Sequence, residues 1–215
     1  MRFVKGAEVF SSLGEKIGTL ERVVIDPETD QVSHLIVEKG FLFTEDKVVP
    51  IEMVNLEVGN KIALKETKQD LQDLPNYEES HYVRRDQLKT SEDFDIEATY
   101  WYPPVHAWWR TGSYFAYPVP QFVIKMEKNI PEGTVALEEG AKVISSDGDH
   151  VGDIERVITE PKENRATHFV ISEGLILKHK KLIPTPWVKS VLEDEVHLNI
   201  KSDLFENLPD YQPTA

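Results

Sequence analysis

At 215 residues, with 40% apolar and 29% charged side chains, the chain can bury a core in one or two domains and keep a soluble surface. A net charge of −14 argues against nucleic acid and anionic lipid as main partners, since both demand a Lys/Arg surplus. The absence of cysteine excludes disulfides, zinc–thiolate centres and thiol nucleophiles.

In chain order, the opening "MRFVKGAEVF" lacks the apolar run of a secretion signal. No stretch approaches the ~18–20 apolar residues of a membrane span, so the expected location is the cytoplasm. "KIGTLERVVID" places Ile17, Leu20, Val23 and Ile25 near a strand alternation with one slip, which predicts a bulge or bend. "DPETDQ" predicts a solvated hairpin turn, and "QVSHLIVEKG" a β-branched strand ending at glycine. "KVVPIEMVNLEVGNKIAL" predicts further strands, with Pro50 at an edge or bend. A short helix follows in "TKQDLQDLP", with Thr67 as N-cap and Pro75 as stop.

Residues 78–139 change character twice. They begin charged, as "EESHYVRRDQLKTSEDFDIEA", and then turn aromatic and proline-rich, as "TYWYPPVHAWWRTGSYFAYPVPQFVIKM". Three of the four tryptophans lie here, and Arg110 is the one full charge between 98 and 124. Four prolines at 103, 104, 118 and 120 forbid a long helix.

From residue 140 the first frame returns. An offset of 134 aligns 6–77 with 140–211 without a gap, pairing Gly14 with Gly148, Gly18 with Gly152, His34 with His168 and Pro50 with Pro184. The copies close on "LQDLPNY" and "FENLPDY", with Ser202 and Pro209 as the second helix's cap and stop. The chain therefore reads as copy one (1–77), a bridge (78–139) and copy two (140–215). Five or six strands in about 70 residues are too few for a two-sheet sandwich, and a small closed barrel satisfies the strand edges better. The predicted fold is mainly β: two small barrels, each ending in a short helix.

The repeat is also a control on candidate sites, because features present in both copies read as scaffold. Gly14, Gly18, Gly148 and Gly152 read as turn glycines of the barrels; the G-x-x-x-x-G-K-[ST] phosphate loop is absent. His34 and His168 read as hydrogen-bonded barrel histidines, with no second ligand repeated beside them. Glu21-Arg22 and Glu155-Arg156 read as surface ion pairs, with docking as the alternative. The run "LKHKKL" around His179 reads as an exposed turn open to an acidic partner. With no nucleophile elbow and no H-E-x-x-H, no enzyme activity, cofactor or metal is expected.

The bridge carries three competing readings. It glues the barrels together, or it exposes a partner or self-association surface, or it lies at a membrane interface. The last is disfavoured by the chain's acidity. On the second reading the anchors are Trp101, Trp108, Trp109, Arg110, Tyr114 and Tyr117.

"GAEVFSSLGEKIGTLERVVID", "VSHLIVEKG" and "KVVPIEMV", with "GAKVISSDGDHVGDIERVITE", "ATHFVISEG" and "KLIPTPWV", resemble the PRC-barrel domain. That domain occurs in the H subunit of photosynthetic reaction centres and at the C-terminus of a ribosome-maturation factor. The resemblance implies a small β-barrel that docks on other proteins. The expected function is a non-catalytic scaffold or adaptor that binds protein partners and itself. The alternatives are an H-subunit-like protein of photosynthetic electron transfer and a ribosome-assembly factor.

Overall fold

The computed structural model describes residues 1–38, 45–84, 122–138, 140–160, 162–173 and 179–212. The chain divides into two units, Met1–Tyr77 with Asn129–Ala215, and Glu78–Lys128.

In the larger unit, copy one supplies β1 (Arg2–Val4), β2 (Glu8–Phe10), β3 (Lys16–Ile25), β4 (Val32–Glu38), β5 (Lys47–Pro50), β6 (Val54–Val58), β7 (Lys61–Leu64) and α1 (Lys68–Gln72). In the smaller unit, β8 (Glu78–Arg84) and β9 (Phe122–Lys128) pair as an antiparallel ladder from Glu78↔Lys128 to Arg84↔Phe122. The larger unit resumes with β10 (Val135–Glu138), β11 (Lys142–Ile144), β12 (His150–Thr159), β13 (Ala166–Glu173), β14 (His179–Pro184), β15 (Val188–Val191), β16 (Glu195–Leu198) and α2 (Ser202–Glu206).

The larger unit holds two seven-stranded sheets of one design. The first runs β5-β4-β3-β2-β7-β6 and the second β14-β13-β12-β11-β16-β15. Pro50 and Pro184 end the edge strands β5 and β14, where a missing N–H breaks no ladder, and each leads into a 3-10 turn. The slip expected in the long strand is real. Register shifts between Leu20 and Arg22 on β3, and between Ile154 and Arg156 on β12. The extra residue lets Glu21 and Arg22 both avoid the core while Leu20 and Val23 stay inside it.

The seventh strand of each sheet comes from the other copy. β1 pairs with β12 as Arg2↔Ile158, Phe3↔Val157 and Val4↔Arg156. β10 pairs with β3 as Val135↔Ile25, Ala136↔Val24, Leu137↔Val23 and Glu138↔Arg22. These registers match at the 134-residue offset, so the two copies exchange strands about a pseudo-two-fold axis. Residues 135–138, read from sequence as the end of the bridge, are thus part of the first sheet. Phe3 and Leu137 are 1% and 2% exposed, and both belong to one core that runs through both barrels.

The two hairpin turns meet at the same axis. Asp30 and Asn164 sit at positive φ, 60° and 53°. Their carbonyls accept hydrogen bonds from the opposite copy, Ala166 N to Asp30 O at 2.7 Å and Val32 N to Asn164 O at 2.9 Å. The turn tips are exposed, as expected of solvated turns (Pro27, Glu28 and Thr29, with Lys162 and Glu163), and their last residues in addition dock backbone to backbone across the junction.

The glycines divide into two kinds. Gly14 and Gly148 have φ of 79° and 91° in open hairpin turns, as expected. Gly18 and Gly152 are not turn residues. They lie inside β3 and β12, where a Cβ would stand 2.5 Å from Glu38 O and 2.6 Å from Ser172 O respectively. Only glycine lets the neighbouring strand approach so closely.

Candidate functional site

At the barrel junction the two copies differ in charge. On the first barrel, the exchanged strand β10 delivers Glu138 opposite Arg22, and its carboxylate lies 3.2 Å from the Arg22 guanidinium. Lys5 reaches the same carboxylate at 3.2 Å. Arg22 also stacks over the Tyr77 ring, 5.9 Å from its centroid. At the equivalent place on the second barrel, β1 delivers Val4 opposite Arg156. Among the described residues Arg156 forms no ion pair; its Nε, like that of Arg22, is buried with no hydrogen-bond partner. The ion pairing expected of these charges is made for one member of each dipeptide: Arg22 pairs with Glu138, and Glu155 with Lys180 at 2.5 Å. Burial pushes the Glu21 carboxyl up; Asp46 adds to this, and Arg22 opposes it.

Between the exchanged strands lies a small, mostly apolar cleft, with Lys5, Glu21 and Arg156 also in its lining. It is lined by equivalent residues of both copies, Phe3 with Leu137 and Leu20 with Ile154. Among the described residues no three His, Asp or Glu side chains gather as a metal-holding group.

The PRC-barrel domain model matches residues 3–72 and 139–204, well over half of the chain, in two segments. The chain belongs to the PRC-barrel family. No curated protein matches it. The matched segments begin at Phe3 and just after Glu138, so each PRC copy is exchanging the strand at its own N-terminal boundary.

Each PRC barrel caps its terminal helix by a different device. In copy one, the Asp70 carboxylate accepts the Thr67 N–H at 3.1 Å and the Thr67 hydroxyl at 2.6 Å, a capping box. In copy two these positions are Lys201 and Leu204, so the box is gone. Asp147, from the distant hairpin, takes its place and accepts the Ser202 N–H and hydroxyl, both at 3.0 Å. The matching position in copy one is Leu13, 75% exposed. The N-cap residue of α2 is Lys201, one before the expected Ser202, because the helix begins at Ser202 itself. Asp147, which distinguishes "SSDGDH" from its twin, therefore stabilises a helix end. The Ser145 hydroxyl, and then the Ser202 amide, hold its carboxyl down to about 2. A folded value below the ordinary 3.8 stabilises the fold above pH ~4, and the effect is lost as pH falls towards 2. Asp147→Ala is expected to raise amide exchange in α2 at about pH 6 but not in α1, with the difference from wild type gone by about pH 2. Unchanged α2 exchange near neutral pH would remove this assignment.

Lys47 and Lys181 form a repeated pair that the sequence reading did not single out. Lys47 donates to the carbonyls of Gln72 and Leu74 behind α1, at 3.1 and 2.7 Å. Lys181, 6% exposed, donates to the Leu208 carbonyl and to Asp210. Identity at the 134-residue offset was the available signal.

The run around His179 is corrected: His179–Pro184 is strand β14, not a turn. Its described polar side chains are engaged within the chain, His179 and Lys181 with Asp210 and Lys180 with Glu155. His168 Nδ1 lies 3.1 Å from the Thr167 hydroxyl, as expected of a hydrogen-bonded histidine. His34 differs, because its Nδ1 is buried without a partner and burial lowers its pKa, with Glu52 opposing. Both histidines pair with the edge prolines, His34↔Pro50 and His168↔Pro184. Trp101, Trp108, Trp109, Arg110, Tyr114 and Tyr117 lie outside the described residues.

Proposed function

We propose that this tandem PRC-barrel chain is a non-catalytic, cytoplasmic adaptor that binds protein partners and itself through its unrepeated aromatic segment. The observation that carries this reading is a contrast within the chain. Copy-specific polar features of the barrels are spent on holding the fold: Asp147 caps α2, and Lys180 and His179 pair internally. The aromatic run of 100–122 is unrepeated, and its last residue, Phe122, opens β9. Trp, Tyr and Arg are the residue types that dominate binding hot spots. No helix among the described residues is long and apolar enough to cross a membrane.

Changing Trp108 and Trp109 to serine is expected to lower the mass seen by light scattering while the circular dichroism of the barrels is kept. An unchanged mass with an intact fold rules out the segment as a self-association surface. Unfolding of the barrels makes it internal glue instead. Co-sedimentation of the full chain with small ribosomal subunits, persisting across salt, would favour the assembly-factor alternative. Co-purification with a photosynthetic reaction centre would favour the H-subunit alternative.

A further inference from the structure

We infer that the two halves of the barrel pair assemble in trans as well as in cis, copy one of one chain with copy two of a second copy of this chain. This deepens the self-association part of the proposed function by a route independent of the aromatic segment. The junction has the build of a dimer interface. It is isologous, with the same strand, turn and core positions offered from each side: β1 on β12 and β10 on β3, Asp30 with Ala166 and Asn164 with Val32, Phe3 with Leu137. Every one of these contacts joins residues 1–77 to residues 129–215, and none depends on the two belonging to one chain.

The connection between the halves is long enough to reach across. Tyr77 O accepts a hydrogen bond from Asn129 N at 2.9 Å, so the halves are anchored side by side, whereas the chain between them runs from Glu78 to Lys128. With the β8–β9 ladder kept, residues 85–121 remain as the link, and at up to ~3.3 Å per residue they can span well over one barrel pair. In the exchanged dimer, Tyr77 of one chain meets Asn129 of the other, and the β8–β9 ladder can form between chains with the same register. Cis and trans forms then bury the same surface. Chain concentration sets the balance against the effective concentration of the tether.

The chain has no cysteine, so single thiols report the pairing cleanly. Val4 and Arg156 face each other in the β1–β12 ladder, and replacing Arg156 breaks no ion pair among the described residues. Two full-length proteins, one Val4→Cys and one Arg156→Cys, are mixed, taken through partial unfolding in urea, refolded at rising concentration and oxidised. The expected result is a disulfide-linked heterodimer whose yield rises with concentration. It exceeds that of a mismatched pair, Val4→Cys with Glu163→Cys. It persists when Trp108 and Trp109 are serine, which separates it from association through the aromatic segment. A yield no higher than the mismatched pair, or one that does not rise with concentration, overturns the inference. Melting curves of each single-cysteine protein confirm that it is folded before mixing.

Discussion

Replacing Phe3 by alanine is expected to destabilise the protein by about 3–5 kcal/mol, with the loss reaching the second barrel. Phe3 is 1% exposed, and its strand pairs with β12 far along the chain. Truncation removes transfer free energy and leaves a cavity beside Val157, which close-packed neighbours refill only in part. Urea unfolding should show the loss, and hydrogen exchange should place it in β12 and β13. Leu137→Ala is the mirror test, and it should loosen β3 and β4. Because the core runs unbroken through both barrels, a single cooperative transition is expected in each case. Exchange confined to residues 1–5, with β12 and β13 still protected, would show that the exchanged strand is not structural.

The second large effect is expected at two glycines. Gly152→Ala should cost about 2–5 kcal/mol, combining a close approach with positive-φ strain. Its Cβ would lie 2.6 Å from Ser172 O and 2.8 Å from Ile171 Cγ2, at a φ of +146°. Gly18→Ala meets Glu38 O at 2.5 Å and Val37 Cγ1 at 2.8 Å. The obstacle in both is a backbone carbonyl, so relief requires the paired strands to move apart. Gly14→Ala is the control. Nothing lies within 4 Å of its Cβ, and only its φ of +79° penalises alanine, by roughly 1–2 kcal/mol. Denaturant midpoints of the three variants give the order. If Gly18→Ala stays within about 0.5 kcal/mol of wild type, as an ordinary surface change does, the close approach does not constrain the sheet.

These two predictions bear on different kinds of legibility. Gly18 and Gly152 are visible in the repeat, yet a glycine in a turn and a glycine under a neighbouring strand look alike in sequence. Distinguishing them takes the position of the carbonyl across the ladder. The helix caps show the same gap. Thr67 with Asp70 is a local pattern and can be read directly. Asp147 caps a helix 55 residues away, and no spacing rule reaches that far.

By itself the sequence determined the two-fold repeat, the β class, the PRC-barrel family and the bulge in each long strand. The repeat, the β class and the bulges follow from local period and from identities at a fixed offset, and the family from the resemblance of both copies' motifs to the PRC-barrel domain. It also located the aromatic segment on which the adaptor proposal rests. Only the tertiary structure decided that the copies exchange their first strands. β1 and β10 hold three and four residues, too few for a period to show, and at the offset they share no identity in Phe3/Leu137 or Val4/Glu138. Which sheet edge such a strand joins depends on where the free edge of β3 or β12 lies in space. That same choice sets Glu138 against Arg22 and leaves Val4 against Arg156.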